Sequence, residues 1–435
     1  MRRLTIALTL LATLASGALL GTGPAVSAEG APSPASGRGT NILVVGIDSR
    51  AGLSAAEKRR LHVGGEGCNC TDVMLLVHLS ADGNRASVVS IPRDSYVEYT
   101  GGPGAGRWGK INGAYKLGGG AMAVSTVEKV TGLHVDHYLE TGFTGFERAV
   151  DDLGGATVCT DRPLQDENSG LDITAGVHHT DGNTTLRYVR ARHILRSGDL
   201  GRMRRQQRTV GDLLGRLTAK GALSNPGNAA KTARTLLKSV RTDSGTDLLD
   251  LVRIGWAVGR LRADQTEFAT VPITDFDHRV PGVGSTLVWH ASRSAALWAA
   301  LAADRPITGD TRIQPAPETP ALTNPAGIKV RVDDAKVAAA LRGNGFVVTD
   351  TSATAPAVRP DGPPVIRYAP GEEDDAATLA AALPGALLRP APDHGPVFDV
   401  TIGRHQPQVK HVTYDRNVAE GAPVRGNTLR CPTAS

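Results

Sequence analysis

The densest concentration of reactive chemistry lies between Arg187 and Arg208. Eight arginines and no lysine occur there: Arg187, Arg190, Arg192, Arg196, Arg202, Arg204, Arg205 and Arg208. Lysine would serve solubility equally well. Arginine is favoured where a planar fork must grip phosphate or carboxylate through two parallel hydrogen bonds. Arg202, Arg205 and Gln206 stand at i, i+3 and i+4, so a helix would place them on one face. Asp199 falls at the expected start of that helix and is read as its N-cap. A helix N-terminus flanked by arginines is a ready anion site. On spacing alone, a solvated basic helix is the plainer alternative.

Three smaller groups carry compatible chemistry. Pro92 ends the apolar run before it and would present Arg93 and Asp94 at a sheet edge. Asp48 closes the first apolar run and Asp72 opens the next. If those runs are adjacent antiparallel strands, the two carboxylates meet at one point and repel. A divalent cation relieves that repulsion, and Mg²⁺ commonly takes one or two carboxylates together with phosphate oxygens. Lys110 and Asn112, in the stretch Trp108–Tyr115, offer further donors. The sequence contains no Walker loop, no Gly-x-Ser-x-Gly elbow and no His-Glu-x-x-His zinc motif.

The elements that must position these residues follow from periodicity. Asn41–Asp48 reads as a buried strand. Val73–Leu79 and Ala86–Ile91 read as a hairpin around Asp82-Gly83-Asn84. Further strands are expected at 137–141, 156–159 and 265–272, and helices near 120–131, 143–153, 181–192, 200–218, 227–240, 246–260 and 291–303. Strands interspersed with helices predict a layered α/β domain over 41–305, and the hairpin makes its central sheet mixed. Residues 306–326, rich in Pro and Thr, read as a linker. A small α/β module follows at 327–404, then a tail, 405–435, without periodicity.

The chain has 435 residues, a formal net charge of +5, 40% hydrophobic and 21% charged residues, which excludes a disordered or collagen-like chain. Aromatics are only 4%, too few for base-stacking platforms, and the net charge is too small to argue for nucleic acid. Arg2 and Arg3, the apolar stretch Leu4–Leu20 and the small residues Val26-Ser27-Ala28 compose a secretory signal over 1–28, the alternative being an uncleaved anchor. Residues 29–40 form a linker. Export places the four cysteines in an oxidising compartment, where an even count implies disulfides. One intervening residue disfavours a Cys68–Cys70 bridge, so each of the two is expected to pair with one of Cys159 and Cys431.

Six segments stand in a fixed order: Gly46–Arg50, Thr71–Met74, Ser90–Asp94, Lys110–Tyr115, Phe146–Gly155 and Arg190–Gln206. Together they resemble the LytR-CpsA-Psr family of bacterial cell-wall enzymes over about 41–218, and the module at 328–403 resembles the C-terminal domain often attached to that family. The resemblance implies a phosphotransferase that moves a glycopolymer phosphate from a polyprenyl-pyrophosphate carrier to a peptidoglycan sugar hydroxyl. It matches Asp48 and Asp72 to the magnesium-binding acids, and Arg93, Arg190, Arg192, Arg202 and Gln206 to the pyrophosphate-binding set. Asp199 matches an acid that orients the arginines or assists proton transfer. Asp94 and Asp199 are both candidates for the base. The family fold pairs a mixed central sheet with helices enclosing an apolar tunnel for the lipid. Two features depart from the family pattern. The Asp48–Asp72 interval carries an insert with Cys68 and Cys70, and the N-terminus reads as cleavable, so that membrane contact would come through the lipid substrate. Competing readings are a secreted polyprenyl-pyrophosphate hydrolase and a non-enzymatic envelope protein that binds lipid phosphates; the latter has no need of Asp48 and Asp72.

Overall fold

The computed structural model describes residues 38–64, 67–192, 198–219, 239–315, 319–350, 361–404 and 406–431. The expected signal, and the expected helix at 227–240 except its last two residues, lie outside these. In chain order the elements are β1 (Thr40–Ile47), α1 (Ala55–Arg60), β2 (Thr71–Leu79), β3 (Ala86–Ser90), β4 (Tyr96–Glu98), β5 (Trp108–Lys110), α2 (Gly113–Thr131), β6 (His137–Thr141), α3 (Phe143–Asp152), β7 (Ala156–Thr160), β8 (Leu164–Asp166), β9 (Leu171–Ile173), β10 (Gly176–Thr180), α4 (Gly182–Arg190) and α5 (Gly198–Ala219). They continue with β11 (Arg241–Thr242), α6 (Leu248–Gly259), β12 (Thr266–Thr270), β13 (Ile273–Val280), β14 (Gly284–Trp289), α7 (Ala291–Ala302), β15 (Lys329–Val332), α8 (Ala335–Gly343), β16 (Val347–Asp350), β17 (Val365–Tyr368), α9 (Glu373–Ala382), β18 (Leu387–Pro390), β19 (Phe398–Thr401) and β20 (Val424–Arg425).

Seven strands form the central sheet in the order β11-β6-β1-β2-β3-β12-β20. The β1–β2 and β2–β3 pairs are antiparallel, whereas β1–β6 and β3–β12 are parallel, so the sheet is mixed as expected. Strand alternation divides the work of β1. Leu43, Val45 and Ile47 join Met74, Leu76, Val89 and Ile91 in the main core, covered by Met122 and Val127 of α2 and Leu297 and Leu301 of α7. Val44 packs on the opposite face, with Leu75, Val77, Phe268 and the α5 residues Val210 and Leu214. The site forms on this second face.

A five-stranded sheet in the order β16-β15-β19-β17-β18, with its own core around Ile328, Leu341, Ile366 and Leu379, makes the smaller α/β module. The segment before it is not a free linker. Ile307 and Ile313 are buried in the main core, and the Ile307 and Thr308 amides donate to the buried carboxylate of Glu267. Its Pro and Thr content ended regular structure without preventing burial. The tail also returns to the main sheet. Asn417 hydrogen-bonds the Ile273 backbone on both sides, and β20 adds the seventh strand beside β12.

Both disulfides differ from expectation: Cys68 bonds Cys70, and Cys159 bonds Cys431. Asn69 adopts a left-handed φ of 47° and turns the chain so that the flanking Cα atoms lie 5.2 Å apart, inside the range a bridge spans. That turn is tied to the end of β1, where Asp48 N donates to Cys70 O and Asn69 N to Asp48 O. Gly67 is needed at this close approach, since a Cβ there would meet Asp48 O at 2.8 Å. The separation rule failed because it assumed an ordinary backbone at the middle residue.

Candidate active site

The antiparallel register pairs Ile47 with Thr71, so the last residue of the β1 run and the second of β2 stand at one end of the sheet. Asp48 and Asp72 both line a cavity of about 520 Å³ there. Its floor is apolar, with Val44, Val73 and Leu75 from the sheet. Phe143 and Phe146 of α3, Leu186 and Val189 of α4, and Val210 of α5 make the walls. The charged end carries Arg50, Arg93, Arg190, Arg192, Arg202 and Gln206 with the two acids. Five arginines and three aspartates (Asp166 is the third) leave an excess of two positive charges in a confined space. Such an arrangement favours a multivalent anion at one end and an apolar chain at the other.

Each charged group has a local cause for its position. Arg50 forks onto Asp48, Nε to Oδ1 at 2.9 Å and a terminal nitrogen to Oδ2 at 2.8 Å. This hydrogen bonding pushes the Arg50 pKa up; burial works against it, and the charges of Asp48 and Asp72 add to the rise. Arg93 donates to Asp72 Oδ1 at 2.5 Å, while its Nε stands 3.4 Å from Asp94 Oδ2. Arg190 donates to Leu61 O at 2.7 Å, just past the end of α1, and lies 4.8 Å over the Phe143 ring. Burial pulls the Arg190 pKa down, and the nearby Asp48 and Asp72 oppose the fall. Arg192 is anchored through its backbone N–H, which donates to Asp166 Oδ2 at 2.8 Å. Arg202 is buried on α5, and Gln206 donates to Val189 O at 3.2 Å.

The structure does not bring every expected residue into this cavity. Arg205 turns away from it: its side chain donates to Tyr188 O and Ala191 O and stacks near the Tyr188 ring. The last carbonyls of α4 have no partner within the helix, and the buried guanidinium satisfies them. The i, i+3 argument placed Arg205 near Arg202 but could not see the carbonyls at the end of α4 that take the Arg205 guanidinium. Asn112 also stands outside, starting α2 with its amide 3.7 Å from Cys70 Sγ. Lys110 Nζ pairs with Asp94 Oδ1 at 2.9 Å, and both line a neighbouring cavity rather than the first. Asp199 lies within the first turn of α5, which begins at Gly198, and not at an N-cap; its side chain is outside the described residues. Sequence reasoning passed over Arg50, Asp166, Asn168 and Ser169, which line the cavity. Arg50 had a visible signal, standing two residues after Asp48; the other three had none.

The donor chemistry suits a hard cation. Asp72 engages Arg93 through Oδ1, and Asp48, only 8% exposed, has both oxygens bonded by the Arg50 fork, so a cation held by these two acids would share them with the arginines. Two carboxylates, next to arginines able to hold phosphate oxygens, match the oxygen-only preference of Mg²⁺.

A mixed central sheet carrying a cavity with an apolar floor and an arginine-lined end defines a class of fold, and comparison with known proteins agrees. The sequence model of the LytR_cpsA_psr family matches residues 24–302, and that of the LytR cell envelope-related transcriptional attenuator matches 334–405. The chain therefore belongs to the LytR_cpsA_psr family. Among curated proteins it is 36% identical over 280 residues to a probable cell wall biosynthesis protein, LcpB, of Corynebacterium glutamicum, covering 63% of this chain and 64% of that one. It is 31% identical over 207 residues to the polyisoprenyl-teichoic acid–peptidoglycan teichoic acid transferase TagU of Bacillus cereus, covering 48% of this chain and 61% of that one. The chain thus spans less than two thirds of the length of these relatives. Among solved structures, protein gbs0355 from Streptococcus agalactiae shares the fold with a TM-score of 0.51 at 20% identity, over 62% of this chain and 90% of that one.

Proposed function

We propose that this protein is an envelope enzyme that transfers a glycopolymer phosphate from a polyprenyl-diphosphate carrier to a peptidoglycan sugar hydroxyl. One observation carries the reading: a single cavity joins an apolar floor to an end lined by five arginines and the acids Asp48 and Asp72. The lipid would lie on Val44, Leu75, Phe143, Phe146, Leu186 and Val210, leaving its diphosphate among Arg93, Arg190, Arg192, Arg202 and Gln206. Asp48 and Asp72 would hold Mg²⁺, which neutralises charge on a diphosphate when bound. Charge builds on nonbridging and leaving oxygens during the transfer, and preformed guanidinium donors stabilise it without rearranging. The acceptor oxygen forms a bond to phosphorus, the bridging P–O bond breaks, and its electron pair leaves on the polyprenyl phosphate. The hydroxyl proton passes to a carboxylate, for which Asp94, beside Arg93 and outside the lipid cavity, is well placed. The location follows from the substrates, on the outer face of the membrane after export through residues 1–28.

The test is divalent-dependent release of polyprenyl phosphate from a short-chain polyprenyl-diphosphate glycan, with and without peptidoglycan fragments. Wild type should require Mg²⁺, and Asp72→Ala and Arg202→Ala should lose activity. Equal rates in all three proteins would overturn the enzymatic reading, whereas release that ignores the acceptor would favour the hydrolase.

A further inference from the structure

A second cavity, of about 250 Å³, is lined by Asp94, Lys110, Leu200, Met203, Phe276 and Arg416, among others. Two shared pieces of structure join it to the first. Arg93 lines the first cavity, and its Nε is 3.4 Å from Asp94 Oδ2, which lines the second. Helix α5 gives Arg202 and Gln206 to the first and Leu200 and Met203 to the second. The second cavity combines a charged end, Asp94 with Lys110, and an apolar end where the Arg416 guanidinium lies 4.7 Å over the Phe276 ring.

A row of aromatic rings begins at its border. Tyr96 stands directly opposite Lys110 in the β4–β5 ladder. The Tyr96 ring is 5.2 Å from that of Trp108 and 5.6 Å from that of His278. Trp108, at the outer end of the row, is 55% exposed. Single exposed aromatics need no explanation, but three linked rings whose middle member stands opposite a residue lining a polar cavity do. Sugar rings have a C–H face that stacks on aromatic faces and a rim of hydroxyl and amide groups that bonds charged side chains. Phosphate ligands would want the opposite, cations without aromatic faces. The hairpin β13–β14 fixes the row in place, because Leu287 N donates to Asp94 O and Trp289 Nε1 donates to Ser95 Oγ.

We propose that the second cavity and the Trp108–Tyr96–His278 row form the acceptor subsite, which takes an N-acetylated glycan strand and delivers one sugar hydroxyl to Asp94 beside Arg93. Leu200, Met203 and Phe276 would take an acetamido methyl group, and the aromatic row would take the neighbouring sugars. This subsite rests on the transferase reading, and the experiment separates the two. The full-length chain is titrated with a soluble β-1,4-linked tetrasaccharide of N-acetylhexosamine, without lipid. It is titrated separately with a short-chain polyprenyl diphosphate, without sugar. Wild type should bind the tetrasaccharide saturably. Trp108→Ala should weaken it roughly tenfold while leaving diphosphate binding intact, and Trp108→Phe should restore most of the affinity. Trp256→Ala, which removes a 47%-exposed tryptophan on α6, should change neither titration. Equal tetrasaccharide affinity in wild type and Trp108→Ala, or no binding by wild type, overturns the subsite. Tetrasaccharide binding lost with Trp108 in a protein that ignores polyprenyl diphosphate supports the subsite and overturns the transferase reading alone.

Discussion

Arg93→Lys separates what a positive charge does at this position from what a guanidinium fork does. Arg93 contacts Asp72 and Asp94 through different nitrogens, at 2.5 and 3.4 Å, with side chains 19–30% exposed. A lysine keeps the charge on one ammonium, which reaches one carboxylate and presents no planar pair to a phosphate. Losing one partly exposed charged contact costs about 1–2 kcal/mol of stability. For a folded unit of roughly 400 residues, unfolding entropy turns that into a Tm lowered by only about 1–3 °C. The transition state loses more. A preorganised donor at the reacting phosphate contributes on the order of 100- to 1,000-fold in rate. The assay is kcat for polyprenyl phosphate release, measured beside thermal unfolding of the same samples. The reasoning fails if the variant keeps more than roughly a tenth of the wild-type rate. It fails equally if activity and fold are lost together, since Arg93 would then be a structural clamp.

Three further outcomes follow from particular contacts. Arg205→Lys should lower Tm by more than Arg202→Lys does, and Arg202→Lys should be the one that weakens polyprenyl-diphosphate binding, because Arg205 caps α4 while Arg202 lines the cavity; isothermal titration showing the reverse order would return Arg205 to the binding set. Cys431→Ser opens a bridge between residues 272 apart, for which loop entropy sets a ceiling of about 5–6 kcal/mol. Since β20 and Asn417 keep the tail docked, the expected loss is about 2–4 kcal/mol, with faster tryptic cleavage after Arg416 and Arg425 read by mass spectrometry. Burial holds the His78 pKa below its ordinary 6.5, with Asp304 pulling it back up. The unfolded chain therefore takes the proton first, and stability falls as pH drops below about 6.5; denaturant titrations at several pH values should show a flatter profile in His78→Gln.

Much of the fold was legible because it rests on local signals. The apolar run at 41–48, the hairpin around Asp82-Gly83-Asn84 and the helices at 143–152 and 182–190 all announce themselves by period and turn chemistry. The strand ends carrying Asp48 and Asp72 could be brought together on paper, since antiparallel neighbours must meet there. Arg93, Arg190, Arg192, Arg202 and Gln206 were legible by residue type, and the structure gathers all five on one cavity. Positions set by long-range partners were not legible. The tail carries no periodicity, yet β20 completes the sheet, because an edge strand needs only two residues and an unpaired neighbour.

Sequence alone determined the inventory: a mixed α/β scaffold, a run of forked cations, two acids at strand ends and an even set of cysteines. Tertiary structure decided which members of that inventory share a cavity. It sent Arg205 to the end of α4, paired Asp94 with Lys110 on the far side of Arg93, and bent Asn69 so that Cys68 could meet Cys70. The physical reason is that periodicity fixes a side chain's direction relative to its own element. Its partner is fixed by whichever unsatisfied carbonyl, carboxylate or apolar face the rest of the chain brings alongside.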